Sequence, residues 1–480
     1  MLDPTAKKRL NRRRFLQLSG LTVAAAGTSL ALAACGDATA TAVPAATTTA
    51  ASAATTAAAS ATTASGAAAT TAASGGAATT AAAAAPALRA YAGTKLRFIR
   101  HSAADADWMK AQLPAFKEAT GIDVTIELVP YADMHNKLVV EFAAGSSTYD
   151  LTTVPDFWLA EFGQGNWLKP LDAYVADPKF GPEAFNLKDI PESLLNSNKI
   201  NSKLLAVPWK FNTLTLFYRT DLIQEPPKTW EEWKKIATEQ TKNGVYGVGL
   251  SLGATTAAEE FLDFLYSNNG RLLADDNKTA LFNSPEGVEA LEFMISLMPF
   301  AAPGTTSRHY DDSAAIMGQG KIAMEMLIPY HMNTLQNPQK STVVDKIKTV
   351  RFPAKQKSST KVNTWALAIP AASKNAEAAY LLIQYLLSPQ NLKKMVTDLN
   401  GGIVPSRNSS LTDSSIRASY PQFVVAAEAA RDGFTYPPIP QISIIEQSLA
   451  KNIQRAINKE VSAKAALDAA ANEINEQLKK

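Results

Sequence analysis

Apolar positions change their spacing repeatedly after residue 94, and those changes mark out the elements of a mixed α/β chain. Leu96 to Arg100 reads as a short apolar strand. Trp108, Gln112, Phe116 and Ala119 then recur about once per turn, predicting a helix over 108–120 that stops at Gly121. Alternation follows at Ile122, Val124, Ile126 and Leu128, the pattern of a strand with one apolar face. A second helix over 131–144 stops at Gly145, and Leu151 to Val154 is a third strand. Strands alternating with helices predict βαβ units and a largely parallel sheet.

Further along, Leu204 to Val207 is an apolar run broken by Pro208 and Trp209, and Leu214 to Tyr218 resumes it. A broken strand is either a bend within one sheet or a crossing between two lobes. Helices and strands alternate on both sides of Pro208, which favours the crossing. Thr229 begins a capping box with Glu232 ahead of a helix over 230–240. Ser284 and Pro285 occupy the N-cap and first position of another helix. Strands are expected at 246–250, 347–352 and 365–369, and helices at 376–387 and 389–399. The last forty residues carry one apolar stripe through Ile442, Ile445, Leu449, Ile453, Ile457 and Val461, read as a long helical region.

At 480 residues the chain exceeds the size of a single core, so two lobes are expected. Its formal charge of +3 is misleading. Residues 1–34 hold six basic groups and one acid, a surplus of +5, which leaves −2 for the remainder. That balance argues against a nucleic-acid partner. Asn11 to Leu16, NRRRFL, resembles a twin-arginine export signal, and a mildly apolar segment runs on to Ala34. The segment ends in Leu32-Ala33-Ala34-Cys35, which resembles a lipoprotein cleavage box. Cys35 is the only cysteine, so it is the expected lipid-attachment site, and no internal disulfide can form. Residues 35–90 are almost wholly Ala, Thr, Ser and Gly, a composition that reads as a flexible stalk.

Gly320-Lys321 lacks the glycines and the Ser/Thr of a phosphate-binding loop. Gly249-Leu250-Ser251-Leu252-Gly253 is a literal G-x-S-x-G between a strand and a helix, so a secreted serine hydrolase using Ser251 stands as a rival reading. The histidines show no ligand spacing, and no metal or other cofactor is expected. Glu259-Glu260 reads as a solvated helix face. What remains is a set of aromatic and polar residues near strand ends and breaks. They are His101 and Ser102, Asp156-Phe157-Trp158, Trp209-Lys210-Phe211-Asn212, Tyr330, Trp365 and Tyr436. Ligands of parallel α/β sheets bind beyond the carboxyl ends of strands. There, aromatic faces suit sugar rings and polar neighbours suit their hydroxyls.

Several long segments together resemble a family 1 extracellular solute-binding protein of an ABC importer, of the maltose-binding kind. They are LPAFKEATGIDVTIELVPYADMHNKL (113–138), YDLTTVPDFWLAEFGQGNWLKPLDAYV (149–175) and KLLAVPWKFNTLTLFYRTDLI (203–223). PPKTWEEW (226–233), GQGKIAMEM (318–326) and IPQISIIEQSLAKNIQRAI (439–457) follow in order. The resemblance implies a periplasmic-binding-protein-like fold, two α/β lobes with three crossing segments and a ligand cleft between them. It places the crossings at the Pro208 break, at 318–326 and at 363–368. Lobe 1 is then 94–209 with 326–364, and lobe 2 is 210–325 with 365–480. By motif position the ligand-binding residues are His101, Ser102, Asp105, Asp156, Phe157, Trp158, Trp209, Phe211, Asn212, Tyr330, Trp365 and Tyr436. Two departures stand out: VNTW at 362–365 lacks the usual glycines, and Glu446 replaces an aromatic residue.

The implied activity is capture of a sugar or oligosaccharide and its delivery to the permease subunits, without catalysis. Polyamine, glycerol phosphate and iron are the alternative solutes. The protein is expected to be a monomer, held outside the cell membrane by its lipid alone.

Overall fold

The computed structural model describes residues 89–254 and 256–479. The expected signal segment, Cys35 and nearly all of the stalk lie outside the described residues. The chain opens with strand Lys95–His101 (β1), helix Ala104–Thr120 (α1), strand Asp123–Val129 (β2), helix Tyr131–Ala143 (α2) and strand Leu151–Pro155 (β3). Gly121 ends α1 with φ 74°, and its N–H donates to the Lys117 carbonyl. A Cβ there would lie 2.7 Å from that of Ala92, so glycine is required for space as well as for backbone.

Glu192–Asn196 (α3) precedes Ala206–Thr213 (β4) and Thr215–Arg219 (β5). Next come Trp230–Gln240 (α4), Tyr246–Val248 (β6), Thr256–Ser267 (α5), Pro285–Leu297 (α6), Tyr310–Gly318 (α7), Ile322–Leu327 (β7) and Ile347–Val350 (β8). Val362–Ala368 (β9), Ala376–Leu386 (α8), Pro389–Asp398 (α9), Val404–Pro405 (β10), Gln422–Asp432 (α10), Ile442–Ile457 (α11) and Ala463–Leu478 (α12) complete the chain. The expected caps are in place: the Thr229 hydroxyl accepts from the Glu232 amide at 3.2 Å, and Ser284 and Pro285 start α6. The expected long C-terminal helical region is two helices. Lys459, at φ 62°, and the N-cap Ser462 separate them.

Two sheets divide the molecule. The first has the order β10-β4-β9-β3-β1-β2, the second β8-β5-β7-β6. In the first, β1 runs parallel to β2 and β3, whereas β9 is antiparallel to both β3 and β4. Apolar cores cover both faces of that sheet. The second sheet, with α5, α6, α11 and α12, builds a separate core. Burial in these cores rather than helix propensity holds the elements, each large side chain contributing about 1.5–3 kcal/mol.

The sheets correct the expected lobe boundaries. Lobe 1 comprises 89–213 and 362–432, and lobe 2 comprises 214–361 and 434–479. The chain therefore crosses three times, but only one crossing lies close to its expected place. β4 runs through Pro208 without leaving the first sheet: Pro208 stays in register with Ala366, and a bulge at the next residue, Trp209, takes up the irregularity beside it. The first crossing falls at Leu214, between β4 and β5. Residues 318–326 are no crossing, since β7 is an inner strand of the second sheet flanked by β5 and β6. The second crossing, at Lys361 and Val362, lies just before the expected 363–368. The third, at Gly433 and Phe434, has no counterpart in the sequence reading.

These three segments are bonded to one another. Thr213 and Thr360 join hydroxyls at 2.8 Å, the Val362 amide donates to Phe434 O at 2.7 Å, and the Phe434 amide donates to Thr360 O at 3.1 Å. A Cβ on Gly433 would stand 2.6 Å from the Thr360 carbonyl oxygen, so only glycine allows this approach.

Candidate functional site

The strands of lobe 1 deliver an aromatic wall to their carboxyl ends. The His101 ring, closing β1, lies 4.3 Å from Trp365 and 5.9 Å from Tyr131. Tyr131 begins α2, stacks nearly parallel to Trp158 at 5.9 Å, and sits 5.7 Å from Trp365. Tyr131 is 47% exposed, whereas Trp365 is half-buried and Trp158 nearly covered. Ser102 is exposed beside them. Burial, with Arg100 and Lys210 nearby, pushes His101 down to about 3, so its ring is neutral at ordinary pH.

Beneath this wall lies an ionic group. Asp105 accepts from Arg100 Nη2 at 2.8 Å, Lys210 Nζ at 2.8 Å and Trp209 Nε1 at 3.2 Å. Burial alone would raise its carboxyl, but Lys210 and Arg100 outweigh this and hold it well below the usual carboxylate range. Asp105 is 2% exposed, so its direct role is to anchor Arg100 and Lys210 rather than to meet solvent.

Trp209 and Phe211 require correction. Both are completely buried in the lobe 1 core, alongside Val207. Val207, Trp209 and Phe211 pack into the same lobe 1 core, the bulge at Trp209 turning its ring inward rather than to a cleft. The ring left partly exposed is instead Trp365, on the neighbouring strand β9. Asn212 is half-buried and pairs in register with Asn363. Tyr330 sits on lobe 2 after β7, its ring 4.3 Å from His331, apart from the aromatic wall.

Asp156, Phe157 and Trp158 form a single turn at the end of β3. Phe157 packs against the lobe 2 core and against lobe 1, joining the two. The Thr364 amide donates to Asp156 at 3.0 Å. Burial nonetheless pushes Asp156 up to about 6, against the lowering effects of that bond and of Lys361. A cavity of about 300 Å³ opens here. Asp156, Phe157, Ser193, Asn196 and Lys199 of lobe 1 line it, with Thr435 and Tyr436 just past the third crossing.

Lobe 2 contributes a charged group in which Tyr436 and Glu446 are singled out by the sequence, whereas Lys361 and the role of Glu259 are not. Lys361, on the second crossing, bonds Glu259 of α5 and lies 3.9 Å from Glu446 of α11. Its ammonium stands 4.6 Å from the centre of the Tyr436 ring, and the Tyr436 hydroxyl bonds Glu446. Burial would lower Lys361, but Glu259 and Glu446 outweigh it and raise the ammonium above its ordinary value, keeping it charged. The expected solvated face at Glu259-Glu260 is corrected too. Glu260 is 1% exposed, and only Glu259 reaches the cleft side. The available signal was TAAEEFLDFL, acids set in an otherwise apolar helix.

Ser251 is fully buried. Its hydroxyl meets Ser313 at 2.7 Å and Glu325 at 3.4 Å, with no histidine among its recorded partners. A nucleophile elbow needs an exposed hydroxyl beside a histidine, and neither condition is met among the described residues. Among the described residues no group of side chains could hold a metal ion.

Comparison with known proteins agrees with this geometry. The sequence pattern of the bacterial extracellular solute-binding proteins matches residues 101–393, and the chain belongs to that family. It is thus a solute-binding component of the ABC-importer type. It is 24% identical over 375 residues to a mannitol-binding protein of Pseudomonas aeruginosa, covering 72% of this chain and 84% of that protein. It is 25% identical over 385 residues to a probable amino-acid ABC transporter periplasmic-binding protein of Sinorhizobium fredii, covering 77% and 86%. Among solved structures, a solute-binding protein of Thermotoga lettingae bound with α-D-tagatose aligns with a TM-score of 0.70 and 27% identity, covering 80% of this chain and all of that one.

Proposed function

We propose that this protein captures a sugar or polyol between its lobes and hands it to the membrane subunits of an ABC importer. The observation that carries the reading is the pairing of two unlike walls. An aromatic surface of His101, Tyr131, Trp158 and Trp365 stands on lobe 1. A hydrogen-bonding surface of Glu259, Lys361, Tyr436 and Glu446 stands on lobe 2. Aromatic faces cover the C–H faces of a sugar, and carboxylates and ammonium satisfy its hydroxyls. The crossings at Leu214, Lys361 and Gly433 serve as hinge, and ligand contacts to both lobes shift the population toward the closed form. Mannitol-binding and tagatose-bound relatives support the ligand class.

The test is a thermal-shift screen of the full-length protein against sugars and polyols. A true ligand at a hundredfold excess over its Kd stabilises by about 2.7 kcal/mol. A complete absence of shifts across the panel overturns the proposal.

Asp156 gives the reading a pH signature. Its folded value, about 6, lies above that of an unfolded carboxyl. Its ionisation therefore opposes folding, and its contribution to stability falls as pH rises from about 4 to 6. If the ionised form accepts a ligand hydroxyl, affinity moves the other way and is lost as pH drops through 6. The expected Kd at pH 5 is about tenfold weaker than at pH 7, one pH unit below the group's value costing one factor of ten. Titration calorimetry at both pH values checks this, and Asp156→Asn should flatten the dependence.

Anchoring through Cys35 belongs to the same proposal. Multiple acyl chains on one residue hold a protein firmly where a single chain does not. Cys35→Ser is expected to move the protein from the membrane fraction to the soluble fraction, read by immunoblotting after fractionation.

A further inference from the structure

The G-x-S-x-G segment, no nucleophile elbow, is built around two carboxyls instead. Glu260 on α5 and Glu325 on β7 are both buried, and both meet Ser251. The Ser251 amide donates to Glu260 Oε1 at 2.6 Å. Its hydroxyl, 2.7 Å from that of Ser313, reaches Glu325 Oε1 at 3.4 Å. The glycines give these groups room. A Cβ on Gly249 would fall on Glu325 Oε2, and one on Gly253 would stand 2.7 Å from the Arg308 carbonyl oxygen.

The second oxygen of each carboxyl is buried without a hydrogen-bond partner. Arg308 is the cation that acts on both, yet among the described residues it forms no ion pair with either. Its Nη2 donates to the carbonyls of Gly249 at 3.0 Å and Ala302 at 2.7 Å and to the Thr305 hydroxyl. Its Nε and Nη1 are unpartnered. Two ionised carboxylates would therefore leave a surplus negative charge out of contact with solvent, and a bound proton removes it.

The neighbouring elements offer no second cation to do this instead. α5 brings Glu259 and Asp263, α7 brings the Tyr310 phenol and the exposed Asp312, and β5 brings Phe217 opposite Glu325. Lys361, at the second crossing, is taken by Glu259 and Glu446. Burial pushes both carboxyls up, Glu260 to about 8, and the neighbouring Glu260 raises Glu325 further.

We infer that Glu260 and Glu325, bridged by Ser251, hold a proton between them at neutral pH, so that lobe 2 is firmest in acid and loosens as its surroundings turn alkaline. The pair sits behind the lobe 2 side of the cleft. Glu259, next in the chain, holds Lys361, and Asp263 accepts the Lys361 amide at 2.7 Å. Members of an extracellular family meet the pH of their surroundings directly. A carboxyl raised from its ordinary 4.5 contributes stability that is complete in acid and is lost as pH rises through the folded value, about 8. While the folded state binds one extra proton, the unfolding constant rises about tenfold per pH unit.

The experiment is urea unfolding of the full-length protein at pH 7 and pH 8, above the ranges of Asp156 and of unfolded histidines. The parent's unfolding constant should rise across this window by up to about tenfold. Glu325→Gln, a neutral stand-in for the protonated acid, should flatten the rise, and so should Glu260→Gln. Asp263→Asn is the control, a buried and raised carboxyl on the same helix that does not touch Ser251. A parent constant that does not rise overturns the inference. So does a rise that both Gln variants retain in full, or one that only Asp263→Asn flattens.

Difference infrared spectroscopy reads the proton itself. The folded parent at pH 7 should show the carbonyl stretch of a protonated, buried carboxyl, weakened in either Gln variant. Absence of that band from the parent overturns the inference whether or not the variants fold. A band unchanged in both folded variants does the same.

Discussion

Replacing Asp105 by Ala is expected to destabilise lobe 1 by about 3–5 kcal/mol, the usual consequence of removing one partner of a buried pair. Arg100 is completely buried, and its remaining hydrogen bonds go to the His101 carbonyl at 3.3 Å and the Met109 sulfur at 2.9 Å. Neither carries a charge opposite to the guanidinium. Lys210 and the Trp209 indole lose their acceptor in the same step. Urea unfolding measures the effect as a lower midpoint. Asp105→Asn separates the causes, because it retains an acceptor for Trp209 but no charge. The pH dependence has a definite sign. A carboxyl held below its unfolded value contributes stability that is complete above about pH 4 and is lost as pH falls further. The Ala variant should therefore show a flatter acid limb than the parent.

The second large effect concerns affinity. Trp365→Ala is expected to weaken ligand binding by about thirtyfold or more, the size of a central aromatic hot spot. Its ring is half-buried at the meeting of His101, Tyr131 and the Lys210 ammonium, the last 5.6 Å from its centre. Trp209→Ala is the informative contrast. That side chain is wholly inside the core, so its truncation should cost about 3–5 kcal/mol of stability. The two variants should therefore differ in kind, one folded and weak in binding, the other unstable. Calorimetry on Trp365→Ala and chemical unfolding of both variants test the distinction.

That contrast also shows what could be read from the chain beforehand. The alternating elements were legible because each is a local pattern. Thr229, Ser284 and Gly121 sit at the expected helix ends. Three crossings were implied by the family resemblance, but no local pattern marked most of their positions. Pro208 reads as a break, yet a bulge accommodates it, and a bulge depends on the partner strand β9, more than 150 residues away. The third crossing, at Gly433, exists because its backbone meets Thr360 and Val362, a contact with no local signature.

The site divides in the same way. His101, Asp156, Trp158 and Trp365 could be named from sequence because they lie at strand ends or near the start of a strand, and three of them, His101, Trp158 and Trp365, meet around Tyr131. Glu259, Lys361 and Glu446 come from α5, a crossing and α11, and only folding brings them together. Trp209 misled because an aromatic residue beside a proline looks like a loop residue, whereas the strand continues through a bulge there and its ring packs into the lobe 1 core.

The most direct test of the account is a crystal structure of the full-length protein with the sugar or polyol giving the largest thermal shift. The account predicts density for the ligand between the lobes, one face against Trp365 or Tyr131 and hydroxyls within hydrogen-bond distance of Asp156 or of the Lys361, Glu259 and Glu446 group. Density for the ligand outside the cleft, or contact with only one lobe in a closed molecule, would contradict it.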